Sequence, residues 1–112
     1  MFDALKNIGN LPGLMAKAKE MQEKMKAVQE ELGHRQVTAN AGGGMVEATV
    51  NGQMQLLKVR IDKARVNLQD TEMIEDLVVA AVNAAQAKAA EMVRTEMQKV
   101  AADLGLPPGM LP

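Results

Sequence analysis

The apolar residues of this chain change from a heptad to an alternation of two within its first half, and this change limits the fold more than any other feature. From Leu14 to Leu32, apolar residues recur at spacings of four and three, which is typical of a helix that packs along another helix. Farther along, Val46, Ala48 and Val50 alternate with polar residues, as on one face of a strand. A chain of 112 residues with this order is expected to form one domain, spanning residues 1–112.

The heptad predicts a first helix of about 20 residues, about 30 Å long at 1.5 Å per residue. Gly33 follows the last apolar residue of the heptad and is expected to cap the helix. Residues 1–12 contain Gly9, Asn10 and Pro12 and are expected to form a flexible lead-in. The heptad positions are Leu14, Ala18, Met21, Met25, Val28 and Leu32.

Three strands are predicted between the helices. The first is Gln36 to Ala41, and three glycines connect it to the second, Met45 to Val50. Asn51-Gly52 then predicts a two-residue hairpin turn, because both residues tolerate positive φ. In the third strand Leu57, Val59 and Ile61 alternate with Leu56, Lys58 and Arg60. The result is an antiparallel meander with one apolar face, which a helix must cover.

A second helix is predicted from a cap at Asp70 or Thr71 to about Leu104, where Gly105 stops it. It is longer than a compact domain of this size is wide, so its far end should project beyond the sheet, like the first helix. The tail, residues 105–112, is rich in Pro and Gly and is expected to be flexible. The predicted fold class is therefore α+β, in the order α-β-β-β-α.

Composition predicts a thin core. Apolar residues make up 47% of the chain, but many are Ala and ten are Met, and Phe2 is the only aromatic residue. A core this poor in large side chains favours a fold that completes itself against a second copy, so a homodimer is expected. The absence of cysteine excludes disulfides and thiolate metal sites and fits a cytoplasmic protein.

The residue types of the chain leave few candidates for a catalytic or metal-binding role. The chain has no Ser, Cys or Tyr, and its one histidine, His34, lies in a connection, where a solvated role is the usual one. We expect no catalytic residue, metal, cofactor, small-molecule substrate or membrane span. The segment Gly42 to Gly44 leads into a strand rather than a helix, so a hairpin connection is favoured over a phosphate loop.

Basic residues are the remaining candidates for function. Four lysines lie on the first helix, where pairing with glutamates at i,i+4 and simple solubility are the alternative interpretation. Four more cations lie on the third strand and just beyond it, where a solvated sheet face and loop are an equally favoured interpretation. Three are spread along the second helix. The candidate DNA-binding residues are Lys17, Lys19, Lys24, Lys26, Lys58, Arg60, Lys63, Arg65, Lys88, Arg94 and Lys99.

Several segments together resemble the YbaB/EbfC family of bacterial nucleoid-associated proteins over nearly the whole chain. They include Met15-Ala-Lys-Ala-Lys-Glu-Met-Gln-Glu-Lys-Met25, Gly43-Gly-Met-Val-Glu-Ala-Thr-Val-Asn-Gly52 and Glu75-Asp-Leu-Val-Val-Ala-Ala-Val-Asn-Ala-Ala85. The resemblance implies a tweezer-like homodimer, DNA binding and a role in nucleoid organisation, without catalysis. One departure is Ile61-Asp-Lys-Ala-Arg65, where relatives often read Ile-Asp-Pro-Glu.

Net charge argues mildly against DNA, since the chain carries −1 overall. The lack of interior aromatic residues disfavours single-strand binding by base stacking. We therefore expect any DNA binding to be phosphate-dominated, weakly specific and directed at duplex DNA. The resemblance implies that this binding takes place in the nucleoid and influences gene expression. The alternative function is a protein-interaction scaffold with little direct DNA binding, which the resemblance would link to recombination or repair factors.

Overall fold

The computed structural model of the chain describes residues 11–105, so most of the predicted lead-in and tail lies outside the described residues. Two helices flank a three-stranded sheet along the chain, in the predicted α-β-β-β-α order. Leu11 and Pro12, assigned to the lead-in, belong to the first helix, where proline is tolerated in the first turn. The elements are α1 (Leu11–His34), β1 (Gln36–Ala41), β2 (Val46–Asn51), β3 (Leu56–Ile61) and α2 (Thr71–Asp103).

The sheet is an antiparallel meander in the order β1-β2-β3, so both β1 and β3 are edge strands. The register aligns Val37 with Val50 and Ala39 with Ala48, and on the other side of β2 it aligns Ala48 with Val59. Paired residues share a face, so the alternation predicted from the sequence places the apolar side chains of all three strands on one side.

The core lies between that face and α2, and it consists of small side chains. Val46, Ala48 and Val50 on β2 are fully buried. They pack with Ala81, Ala85 and Ala89, which repeat every four residues and so form one ridge of the helix. Because the ridge carries only methyl groups, helix and sheet approach closely. The prediction of a thin core is confirmed.

Helix α2 packs against β1 and β2 and leaves the face of β3 largely uncovered. It begins where predicted, with an Asp70 carboxylate oxygen accepting a hydrogen bond of 3.1 Å from the backbone N–H of Met73. It ends at the predicted glycine, Gly105, which has a φ of +70°. Left-handed backbone of this kind is a common way for a helix to end.

The connection between β2 and β3 differs from the prediction. Strand β2 begins at Val46 rather than Met45 and continues through Asn51, so the connection has four residues, Gly52 to Gln55, and not the two-residue turn expected at Asn51-Gly52. The left-handed residue is Met54, with a φ of +63°. The Asn51 side chain holds the connection, because its Oδ1 accepts hydrogen bonds from the N–H groups of Gln53 and Gln55.

Gly52 is required for a reason other than positive φ. Its N–H donates a hydrogen bond of 2.9 Å to the carbonyl oxygen of Leu32, the one fully enclosed side chain of α1. A Cβ at Gly52 would lie 2.4 Å from that same oxygen. The absence of a side chain therefore lets the end of α1 rest directly on the connection between β2 and β3.

Strand β3 contains an irregularity that also corrects the prediction. Thr49 aligns with Lys58, but Val50 aligns with Leu56, which leaves Leu57 as an extra residue in a β-bulge. The sequence predicted Leu56 on the same side as Lys58 and Arg60. Because Leu56 is aligned with Val50, it lies instead on the apolar side of the sheet. Lys58 and Arg60 do share one face, which confirms that part of the prediction.

Helix α1 continues through Gly33 and ends at His34, so the predicted cap at Gly33 is wrong. The space beside Gly33 is occupied by the side chain of Gln53, which accounts for a small residue there. Most of the heptad is uncovered: Leu14 and Ala18 are exposed, and Met21 and Met25 are half-buried. The described residues extend over 72 Å in one direction and about 20 Å in the others, so the helices project beyond the sheet as predicted.

Candidate nucleic-acid interface

The face of the sheet opposite α2 is open and polar; we call it the outer face. Lys58 and Arg60 project from it on β3, next to Thr49 and Glu47 of β2. One guanidinium nitrogen of Arg60 lies 3.4 Å from a Glu47 carboxylate oxygen, and both side chains are partly exposed. Exposed pairs of this length are weak, so the guanidinium stays available to a stronger anion. No ion pair among residues 11–105 involves Lys58.

Uncharged hydrogen-bonding side chains surround these two cations. Thr38 and Thr49 face each other across β1 and β2 with their hydroxyl oxygens 3.3 Å apart, and Gln36 and Asn40 lie on the same face of β1. Hydroxyl and amide groups of this kind commonly donate to phosphate oxygens. None was predicted as a site residue, although the two-residue period that placed Lys58 on this face places them there too.

Lys63 and Arg65 lie at the end of the sheet, beyond β3. A guanidinium nitrogen of Arg65 donates a hydrogen bond of 2.9 Å to the carbonyl oxygen of Gly43, in the turn between β1 and β2. All three glycines of that turn have positive φ, and Gly42 lies against Leu77 of α2. Arg65 therefore fastens the loop after β3 to this turn.

Acidic residues share this end of the sheet. Helix α2 begins with Glu72, Glu75 and Asp76 and carries no basic residue before Lys88. The structure therefore separates two pairs that are neighbours in sequence. Lys58 and Arg60 lie on an open face, whereas Arg65 contacts the turn that also meets the acidic first part of α2 at Leu77. The acidic residues reduce the positive potential around Lys63 and Arg65. The outer face, with Lys58 and Arg60, is therefore favoured as the anion-binding surface.

The lysines of α1 lie on the projecting arm, away from the sheet. Lys24 pairs with Glu20 one turn earlier at 3.3 Å, one of the i,i+4 pairs expected from the sequence. Lys17 and Lys24 border a shallow cleft against the end of α2 near Asp103. Lys19 and Lys26 belong to no ion pair within residues 11–105. The arm thus offers two pairs of lysines, Lys17 with Lys24 and Lys19 with Lys26, each two turns apart and all within about 14 Å of helix.

The three basic residues of α2 are engaged within the protein. The Lys88 ammonium donates a hydrogen bond of 3.0 Å to the Thr38 carbonyl oxygen, at the free edge of β1. Arg94 pairs with Glu91 one turn earlier. Lys99 lies 3.4 Å from Glu96. Lys88 is therefore held at the edge of β1, whereas Arg94 and Lys99 pair with glutamates of α2 itself.

Arg35 is a basic residue that the sequence reasoning missed. It follows α1 directly, and its guanidinium lies 2.7 Å from a Glu96 carboxylate oxygen of α2, so it links the base of the arm to the long helix. The hydrogen bond from Arg35, with a smaller effect from Lys99, lowers the pKa of Glu96 below its ordinary value of 4.5. The two partners are 61 residues apart, and no local pattern could have paired them.

Two further properties of the described residues concern metal-binding groups and membrane-spanning helices. Within residues 11–105, no three carboxylate or imidazole side chains are grouped so that they could hold a metal ion. No helix of the described residues is both long and apolar enough to cross a bilayer.

A family model described as the YbaB/EbfC DNA-binding family matches residues 7–104. The chain is also similar to proteins named nucleoid-associated protein. One, from Gemmatimonas aurantiaca, is 46% identical over 94 residues, which is 84% of this chain and 90% of that protein. Another, from Moorella thermoacetica, is 44% identical over 100 residues, 89% of this chain and 96% of the relative.

A solved structure shares the fold. It is the crystal structure of an uncharacterized protein from Helicobacter pylori, which superposes with a TM-score of 0.67 at 24% sequence identity. The match covers 82% of this chain and 94% of that one. Coverage this high means that both helices and the sheet are matched together, and not one element alone.

Proposed function

Since this chain belongs to the YbaB/EbfC DNA-binding family, we propose that it binds duplex DNA in the nucleoid, as a homodimer, through contacts to phosphates. Relatives at 44–46% identity are named nucleoid-associated proteins, which fits this location. The family is described by DNA binding and not by a reaction, and we expect no catalysis. Binding of this kind would organise the nucleoid and influence gene expression.

One observation carries the proposal: the outer face presents Lys58 and Arg60 side by side with little opposing charge. Among residues 11–105, the one carboxylate paired with them is Glu47, at 3.4 Å from Arg60. Thr38 and Thr49 on the same face add hydroxyl groups. Cations supply the affinity for a phosphate backbone and release its counterions, while neutral donors fix its position.

Low sequence specificity follows from what the face lacks. Bases are read in the grooves by bidentate side chains such as arginine, asparagine and glutamine carried on a projecting element. Arg60 lies on a strand in an open sheet face and not on a projecting element. Arg35 and Arg94 are paired with glutamates. We therefore expect phosphate contacts to dominate.

A homodimer supplies what one copy cannot. One outer face offers two cations, and the arm lysines add a few more, which is a small set for stable binding. Two copies on one duplex double the contacts, and the second copy binds at high effective concentration. The exposed apolar side chains of α1 and β3 also fit a chain that completes its core against a partner.

Duplex binding across a salt series tests the proposal. We expect the logarithm of the affinity to fall linearly with the logarithm of salt, by about 0.9 for each phosphate contacted. A duplex of shuffled sequence should compete equally. Affinity that does not change with salt, or no duplex binding at about 50 mM salt, where phosphate contacts are strong, would contradict it.

The scaffold alternative is favoured by one observation, the uncovered heptad of α1. Leu14 and Met15 are exposed, and a shallow apolar groove runs along Met21 and Met25. An amphipathic helix of another protein could lie there, since methionine adapts to varied partners. Capture experiments from nuclease-treated lysate separate the two functions. Partner proteins retained without nucleic acid, from a chain that does not bind duplex DNA, would favour the scaffold.

A further inference from the structure

The strands of the sheet contain one carboxylate, Glu47, and it lies on the outer face. Strand β2, which carries it, is the central strand of the three. The other charged residues of these strands are Lys58 and Arg60, on the same face of β3. A negative charge therefore lies in the middle of the surface that is proposed to contact phosphates, and phosphate binding by itself gives it no role.

The register places Glu47 directly opposite Arg60. A guanidinium nitrogen of Arg60 donates a hydrogen bond of 3.4 Å to a Glu47 carboxylate oxygen. Directly opposed side chains on antiparallel strands have their Cβ atoms about 5 Å apart, so the sheet brings the two groups together with little ordering of either side chain. The pair is weak enough for a phosphate to replace. In the free protein, however, a phosphate must compete for Arg60 with a carboxylate that is already in place.

The Glu47 carboxylate also opposes DNA after the exchange. The Arg60 side chain is the more exposed of the two, at 55% against 35%, so it can turn outward to a phosphate while Glu47 stays on the sheet beside it. The carboxylate and the phosphate then repel each other, and this repulsion strengthens as the duplex displaces water from the face. Glu47 therefore stabilises the free protein and destabilises the complex, and both effects lower the affinity.

The effect of Glu47 is directed at one cation of the face. Lys58 is aligned with the neutral Thr49, and none of the ion pairs within residues 11–105 involves it. On its other side Glu47 is aligned with Asn40 of β1, which is also neutral. Arg60 is thus the cation whose contact with a phosphate depends most on Glu47.

We propose that Glu47 limits the affinity of the outer face for duplex DNA by holding Arg60, an inference that rests on the proposed function. Glu47 is then a positioning residue, because it acts on the phosphate contact through Arg60. A protein that binds with little sequence preference meets phosphates at every site, and weak contacts let it slide and dissociate between sites. The carboxylate thus favours exchange along the nucleoid over tight binding at one place.

A purely structural role for the pair makes a different prediction. Opposite charges directly across two strands stabilise a sheet modestly. If Glu47 served only this purpose, removing its charge would lower the free energy of unfolding and leave the duplex affinity unchanged. Urea unfolding and duplex binding measured on the same variants therefore separate the two roles.

Duplex binding by E47Q, with E91Q as the matched control, tests the proposal. Both variants remove one negative charge from a glutamate that pairs with an arginine, and Glu91 lies on the helix that packs on the opposite face of the sheet. At about 50 mM salt we expect E47Q to raise the affinity about threefold or more and E91Q to change it by less than about 1.5-fold. E47Q should also steepen the salt dependence. Equal gains from both variants, or a loss of stability in E47Q without a gain in affinity, would overturn the inference.

The same substitution in a chain without Arg60 tests the route by which Glu47 acts. E47Q/R60Q should gain less than half as much over R60Q as E47Q gains over the wild type, because without Arg60 no phosphate is drawn to the position beside Glu47. An equal gain in both backgrounds would overturn the inference. Salt-dependent duplex binding by the wild type with no gain in E47Q would overturn the inference alone. No duplex binding by the wild type or any variant would overturn the proposed function, and the inference with it.

Discussion

Gly52 fixes the position of a whole helix through the absence of a side chain. Its N–H donates to the Leu32 carbonyl of α1 at 2.9 Å and to the carbonyl of Arg35, which follows the helix, at 3.2 Å. Gln53 adds a weaker hydrogen bond of 3.4 Å to the carbonyl of Gln29. The base of the arm is therefore held by a few atoms of one connection.

Substitution of Gly52 by alanine should be among the most destabilising single changes in the chain. Its Cβ would lie 2.4 Å from a backbone oxygen, which no side-chain rotation can relieve. We expect a loss of about 2–3 kcal/mol in the free energy of unfolding, at the upper end for overpacked sites. The measurement is urea unfolding at one protein concentration.

Gly43→Ala is the matched control for this prediction. Gly43 has a φ of +66°, but its Cβ would meet nothing closer than 3.7 Å. Only backbone strain opposes it, about 1 kcal/mol. Equal losses for the two variants would mean that the contact with Leu32 does not hold the base of α1.

At the scale of elements, the alanine ridge of α2 sets the distance between helix and sheet. Ala81, Ala85 and Ala89 are fully buried against β2. We expect Ala85→Leu to lift the helix and lower the free energy of unfolding by about 1–3 kcal/mol. Ala87→Leu, on the exposed side of the same helix, should change it by less than about 0.5 kcal/mol. If both variants unfold alike in urea, the ridge does not limit the packing.

The ion pair between Arg35 and Glu96 links the arm to α2, and its effect should depend on pH. The guanidinium lowers the pKa of Glu96 below 4.5 in the folded protein. A carboxyl group with a lowered pKa stabilises the fold above its unfolded value and loses that effect as pH falls through the folded one. E96Q should therefore lower the melting temperature slightly at pH 7 and leave it unchanged near pH 2. A deficit of the same size at both pH values would exclude the charge as its cause.

The elements differ in how far their residues determine them. The strands follow from alternation, and α2 follows from a cap at Asp70 and a stop at Gly105, all of which are local patterns. The end of α1 and the connection after β2 depend on contact between Gly52 and Leu32, twenty residues apart. The bulge at Leu57 depends on pairing with β2. Local patterns do not contain such contacts, so these features were predicted incorrectly.

At the scale of the molecule, the candidate site also combines features that local sequence patterns determine with features that depend on contacts between distant residues. Lys58 and Arg60 could be placed on one face from the two-residue period alone. The bonds of Lys88 to Thr38 and of Arg35 to Glu96 bridge 50 and 61 residues, so the sequence could not show that these charges are engaged. The fold thus separates a near-neutral chain into an open cationic face, an acidic start of α2 and a projecting arm with paired and unpaired lysines.

The most direct measurement is the salt slope of duplex affinity for two matched variants. K58Q/R60Q removes two cations of the outer face, and K88Q/K99Q removes two from the β1 side that are already engaged with Thr38 and Glu96. For a dimer, we expect the first variant to reduce the slope by about 3–4, since each lost phosphate contact removes about 0.9. The second should reduce it by less than half as much. A slope unchanged by K58Q/R60Q, or a larger effect of K88Q/K99Q, would contradict the assignment of DNA binding to the outer face.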